Sequence, residues 1–294
     1  MRDLIQRYGL ALSITFAGLA AFWLLMLVIF PYVFLGEQSF RPYLPVAQIG
    51  GPNDNYTLSN YITFFTSPIH VHVFLLTVFF SSLVTVLTLA LAYPLAYYLA
   101  KIARSENVAT LFLLLLIPLW VSEIMRSFSW YIILSFQGPL NAALLLLHVI
   151  DKPIRWISGF NGVIIGLVYT YVLFMLFPVY NAISSLDTNQ IEAAQDMGAR
   201  WWQIHRRIVA PHAKPGIASG CVMVFMLSAG SVIVPSLLAS PGSRWFTEII
   251  QQWMFESQDW NTGSAYAFLL LLICTIFVSV MMRLFRVRLS DIAQ

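Results

Sequence analysis

Ile191-Glu192-Ala193-Ala194-Gln195-Asp196-Met197-Gly198-Ala199-Arg200, followed by Ile208-Val209-Ala210-Pro211, separates two long uncharged runs, 162–186 and 217–239. Asp187, Thr188 or Asn189 can cap a helix start, which places Glu192 in the first turns, where a carboxylate favours the positive end of the helix. Ala193 and Ala194 give that helix a smooth surface that allows close approach, and Gly198 can take a positive φ and stop it. A second short helix is expected from Trp201 to about Val209, ended by Pro211 and Pro215. The expected product is a compact helix-turn-helix within 187–215, flanked by apolar segments.

The rest of the chain says what those flanks are. Of 294 residues 59% are hydrophobic and 10% charged, with a mean hydropathy of +0.78, whereas a soluble domain carries about 25% charged residues. A water-soluble globule is excluded, and sixteen scattered basic residues against thirteen acidic ones make no nucleic-acid surface. A helix needs roughly 20 apolar residues to cross a membrane. Six runs qualify: 10–35, 69–100, 108 to about 135, 162–186, 217–239 and 263–282. The first is too long for a signal-peptide core and is expected to stay attached. Pro94 is expected to kink the end of the second. The third is interrupted by Glu123 and Arg126, and the connections 36–68 and 136–160 read as surface loops or short re-entrant pieces.

Orientation follows from basic residues, which are retained on the cytoplasmic side. With the N-terminus inside, the inner pieces hold Arg2, Arg7, Lys101, Arg104, Arg200, Arg206, Arg207, Lys214, Arg283, Arg286 and Arg288. The outer pieces hold only Arg41, Lys152, Arg155 and Arg244. Both termini and the loop 187–215 are therefore expected in the cytoplasm.

Glu-Ala-Ala, three residues, Gly, nine residues, then Ile-x-Ala-Pro resembles the EAA motif of ABC importer permeases, with Ala210 where Leu is usual. Asn60-Tyr61, Tyr93-Pro94 with Ala100-Lys101, Ile117-Pro118-Leu119-Trp120 with Arg126, and Leu140-Asn141 extend the resemblance to the spermidine/putrescine permease branch, nearest the first of its two permease subunits. Asp151-x-Pro153-Ile154-Arg155, the run Val163 to Tyr169, and Asp259-Trp260-x-x-Gly263-x-Ala265 add to it, with Asn261 where Pro is common. The resemblance implies an all-α, six-span type I importer permease, one domain over 1–294, in a bacterial inner membrane. It implies four kinds of neighbour: a second permease, a homodimeric ATPase, an extracytoplasmic solute-binding protein and the lipid. ATP and Mg would be bound by the ATPase; this chain has no Gly-x-x-x-x-Gly-Lys-Ser/Thr loop and is expected to be a transport subunit with no catalytic residues and no cofactor of its own.

The resemblance makes Glu192, Ala193, Ala194, Asp196, Gly198, Ile208 and Pro211 the residues that couple to the ATPase, with Ala193 and Ala194 as contact surface. Glu192 either pairs with Arg206 or Arg207 or touches the ATPase; Trp201, Trp202 and Ile204 either bury or anchor at the lipid interface. For the solute, Glu123 and Arg126 are three apart on a helix and can meet as a structural pair. Alternatively Glu123, with Trp130, Tyr131 and Tyr169, forms a path for an ammonium group by charge attraction and cation–π contact. Polyamines lead among solutes, followed by opines, other amines and phosphonates. His70 and His72, two apart with no third ligand, make no metal site. A self-sufficient carrier or channel predicts more mid-membrane charge than five charge-free spans provide, and a membrane enzyme predicts an acidic or histidine cluster that is missing from the spans.

Overall fold

The computed structural model describes residues 9–45, 48, 50–52, 54–240 and 242–285. Arg2, Arg7, Arg286 and Arg288, used in the charge asymmetry, lie outside the described residues. The regular structure of the described residues is helical throughout. Among the described residues five helices are long and apolar enough to cross a membrane, and the count reaches six if the bent pair Trp201–His212 and Lys214–Ala229 is taken as one span.

α1 runs from Leu10–Leu24 through a π turn, Leu25–Ile29, into Phe30–Ser39. The turn closes with Phe30 N–H on Leu25 C=O, one residue before Pro31, which has no N–H to give. After the short α2 (Ser59–Thr66), α3 spans Pro68–Tyr97 and ends in a second π turn, Tyr98–Ile102; Pro94 sits inside this 35-residue helix. Its buried Thr77, Thr85 and Thr88 hydroxyls donate to carbonyls one turn back, so these three are satisfied within the helix, whereas the buried Ser81 hydroxyl has no partner.

The third apolar run is not one helix. α4 (Ser105–Leu116) passes into a 3-10 turn, Ile117–Trp120, the chain extends at Val121 and Ser122, and α5 (Glu123–Leu134) begins. Pro118 removes a backbone donor, and the Ser122 hydroxyl accepts from Met125 N–H to start the new helix. At about 1.5 Å per residue, neither piece alone crosses the hydrocarbon. The stretch long and apolar enough to span is Glu123–Leu146, 24 residues, later in the chain than the run 108 to about 135, and past a turn it is completed by α6 (Pro139–Leu146). Buried Asn141 organises it: Nδ2 donates to Phe136 and Ile154 carbonyls at 3.0 and 2.9 Å, and Oδ1 accepts from Ile154 N–H and Trp156 Nε1.

α7 (Asn161–Ser184) is the core helix, packed against α3 and against α10 (Lys214–Ala229). Gly216 and Gly220 of α10 permit the approach. A Cβ at Gly216 would lie 2.3 Å from Pro178 O and 2.6 Å from Ala182 Cβ, and one at Gly220 would lie 2.6 Å from Met175 Sδ. Small residues four apart let backbones close when lipid supplies no hydrophobic drive. The fifth run also breaks, at 230–232, before α11 (Ile233–Leu238). Trp245, fully buried, donates from Nε1 to Ser228 O, and Phe246 N–H donates to Thr77 Oγ1, so the segment before α12 (Phe246–Gln251) plugs into the bundle. α13 (Trp260–Phe285) ends the described chain, its start fixed by Asp259, whose carboxylate accepts from Thr262 N–H and O–H.

Contacts group into two units: the described residues up to Ser67 with Ile250–Leu269, and Pro68–Ile249 with those from Leu270. In the first, Arg41 pairs with Glu37 at 2.6 Å and Asp54 at 2.9 Å, while Asn60 Nδ2 donates to Ser39 and Arg41 carbonyls. Asn261, where proline is common in the resembling branch, donates to Gln38 O.

Candidate functional site

The loop between α7 and α10 folds as two helices, α8 (Thr188–Asp196) and α9 (Trp201–His212). Asp187 is the cap: Oδ1 accepts Asn189 N–H at 3.0 Å. Gly198 takes φ +78°, and the turn it allows satisfies two orphan carbonyls: Gly198 N–H donates to Gln195 O and Ala199 N–H to Ala194 O. The next helix starts with Arg200 N–H donating to Gln203 Oε1. α9 does not stop at Val209 or Pro211. A π turn, His205–Val209, closed by Ala210 N–H on His205 O, precedes Pro211 as the first π turn precedes Pro31, and the helix runs on to His212. It breaks at Ala213, where α10 leaves at 71°.

Packing sorts the residues proposed from the motif. Glu192, Ala193, Asp196, Gly198 and Pro211 are exposed. Ala194 is 4% exposed: with Ile191, three residues earlier, it forms the inner stripe of α8 against the bundle, so it is hidden rather than offered. Ile208 is half-buried on the same core. Glu192 forms no ion pair with Arg206 or Arg207, and all three residues are exposed. Ile204 buries, whereas Trp201, Trp202 and Met197 are 67%, 64% and 82% exposed and make an apolar outer surface.

His205 was not singled out from the sequence. It is buried, its Nδ1 shares a 2.9 Å hydrogen bond with Tyr93 Oη, and its ring packs against Tyr97 and Trp201 at centroid distances of 4.4 and 4.3 Å. The 112 residues separating it from Tyr93 leave no sequence signal for the contact.

The membrane charges also part company. Glu123 opens α5 and does not meet Arg126; its Oε1 accepts from Tyr171 O–H of α7 at 3.1 Å, and Arg126 Nε is buried without a partner. Across the helix gap a phenol reaches the carboxylate, and the favourable helix start holds it there. Glu123 and Tyr171 line a cleft of about 370 Å³ beside the break at Gly230, Ser231 and Val232. Trp130 and Tyr169 meet edge to face, centroids 5.2 Å apart, in a separate apolar groove of about 500 Å³. Tyr131 lines a third recess, with Arg155. Among the described residues, Glu123, the Trp130–Tyr169 pair and Tyr131 thus line three separate recesses.

Over residues 1–291 the chain matches the family of binding-protein-dependent transport system inner membrane components. It is 33% identical over 261 residues to the spermidine/putrescine transport system permease protein PotB of Escherichia coli (strain K12), covering 89% of this chain and 93% of that one. To the protein of that name in Haemophilus influenzae it is 32% identical over 77% of this chain and 79% of the relative. In fold it superposes on a chain of a bacterial ABC transporter involved in the import of the acidic polysaccharide alginate, with a TM-score of 0.73, 17% identity and 97% of each chain covered. Helices that span, a loop that folds as a capped hairpin, and full-length similarity agree: the chain belongs to the binding-protein-dependent transport system inner membrane component family, as a multi-pass ABC transporter permease of the inner membrane.

Proposed function

We propose that this chain is one permease half of an ATP-driven importer for polyamines, working with a second permease, a homodimeric ATPase that binds ATP and Mg, and an extracytoplasmic solute-binding protein. The single observation that supports the solute class is identity to spermidine/putrescine permeases across nine-tenths of the chain. One permease domain spans the membrane with both termini inside. The hairpin α8–α9 seats on the ATPase through Glu192, Ala193, Asp196, Gly198 and Pro211, with Met197, Trp201 and Trp202 as its apolar surface, while Ala194 and Ile208 hold it to the bundle. Closure of the ATPase around ATP then shifts the permease pair between two packings, one open to each side. Glu123, steadied by Tyr171, is the carboxylate that draws an ammonium group into the pathway.

Reconstituted vesicles holding the four components test the reading. ATP-dependent uptake of labelled spermidine, competed by putrescine and not by a phosphonate or an opine, is the expected result. Competition by a phosphonate or an opine in place of putrescine overturns the solute class. Failure of the ATPase to copurify with this chain overturns the coupling role.

A further inference from the structure

We propose that the cytoplasmic end of α3 and the hairpin α8–α9 form one rigid body, so that a push on the hairpin is delivered to α3 as well as to the two helices joined to it in sequence. This rests on the reading that the hairpin receives the ATPase stroke. Three ties carry it. In the middle of the hairpin, Tyr93 Oη and His205 Nδ1 share their 2.9 Å bond inside a cage completed by the Tyr97 and Trp201 rings. At its entry, Lys101 Nζ donates to the Leu186 and Ser184 carbonyls, the open C-terminal end of α7, where a cation also meets the negative end of the helix. At its exit, His212 Nε2 lies 3.0 Å from Ser185 Oγ, closing the hairpin's last turn onto the same end of α7 that Lys101 holds.

Tyr93, Tyr97 and Lys101 are spaced four apart, which aligns them along one face of α3. That one face grips the end of α7, where the chain enters the hairpin, and the hairpin's second helix together. The choice of histidine inside the cage is informative. His205 Nε2 is buried with no partner, a cost that a phenylalanine of similar shape avoids. What the imidazole adds is direction, since its other nitrogen fixes the ring against Tyr93 in one orientation. Cohesion by packing alone tolerates sliding between helices; a bonded, caged ring and a cation on two carbonyls resist it. Further along α3, buried Thr77 accepts from Phe246 N–H, so displacement of the helix reaches the plugged segment at Trp245.

The test uses paired spin labels in the assembled transporter, with Cys221 and Cys274 replaced by alanine. One pair joins Ile102→Cys to Arg206→Cys, both exposed, across the clamp. The reference pair joins Arg206→Cys to Leu146→Cys. Between nucleotide-free and ATP-trapped states the reference distance is expected to change while the clamp distance holds within about 2 Å, the scale of small helix shifts. In the Tyr93→Phe/Lys101→Met background the clamp distance is expected to broaden and to change with ATP. A clamp distance that moves with ATP in the parent, or one that is unaffected by the double substitution, overturns the clamp and leaves the coupling reading intact. No change in either pair overturns both.

Discussion

α1 and α7 are both apolar enough to span a membrane, yet no residue in the most apolar stretch of α1 is buried, whereas 61% of that of α7 is. Hydropathy reports only that a helix tolerates lipid. Burial needs a surface another backbone can approach, and that is set by small residues at helical spacing. α7 has such a partner in Gly216 and Gly220 of α10. In the apolar stretch of α1 the glycine is Gly18, where a Cβ meets nothing within 4 Å, and only near the end of the helix, at Gly36, would a Cβ approach another helix, 3.2 Å from the Phe268 ring. The two helices therefore differ in what their side chains are for, and substitutions can separate them.

The largest expected effect is steric. Gly216→Leu drives a branched side chain into the Pro178 carbonyl and Ala182, and overpacking of about 3 kcal/mol is expected. Gly18→Leu leaves the chain's stability within about 0.5 kcal/mol. Thermal unfolding of the two variants in one detergent compares them directly. Equal losses would mean that α1 packs as tightly as α7 and would break the contrast.

A cavity gives the next effect. Leu167→Ala, at a fully buried position of α7, is expected to cost about 2–3 kcal/mol. Leu27→Ala, at a position 66% exposed in α1, should be nearly silent on the same measurement. In the hairpin, Gly198→Val is expected to cost about 1–2 kcal/mol of local stability through its positive φ alone, because a Cβ there meets open space. Its signature is therefore reduced ATPase copurification and uptake, with membrane insertion normal. Ala194→Trp acts differently, by wedging the hairpin off the bundle, since Ala194 faces inward.

These contrasts mark what the sequence made legible. Most of the spans, a cap among Asp187, Thr188 and Asn189, and the Gly198 stop were readable because each rests on a local rule: run length, a side chain reaching two residues on, a φ that only glycine takes easily. Even the inward face of Ala194 had a signal in its three-residue spacing from Ile191. The break in the third run also had one, in Pro118 followed by Ser122, but composition alone read through it. Pro211 misled because a π turn upstream absorbs the missing donor, and nothing in the local sequence announces a π turn. The partners of Glu123 and His205 lie 48 and 112 residues away, and only the packing of α7 and α3 reveals them.

The smallest expected effect concerns that hidden pairing and extends the comparison from shape to polarity. Tyr171, in α7, donates to Glu123, while Tyr32, in α1, is 52% exposed. Tyr171→Phe is expected to lower stability by about 1 kcal/mol, the range of a hydrogen bond to a carboxylate after the membrane reference is allowed for, and Tyr32→Phe by nothing measurable. A double-mutant cycle with Glu123→Leu, which leaves Tyr171 no acceptor, isolates the bond: the sum of the two single losses should exceed the loss in the double mutant by most of that amount. If Glu123 also draws the solute, Glu123→Gln lowers spermidine uptake more than Tyr171→Phe does, because the first removes the charge while keeping an acceptor for Tyr171, and the second removes only the bond. Equal uptake losses would leave the carboxylate a partner for Tyr171 alone, and its place in a cation path would be lost. Arg126→Gln sharpens the result further: its guanidinium is not paired with Glu123, so the substitution should not rescue Glu123→Gln. Rescue would restore the helix pair that the sequence spacing allowed, and would mean that Tyr171 is not what holds the carboxylate.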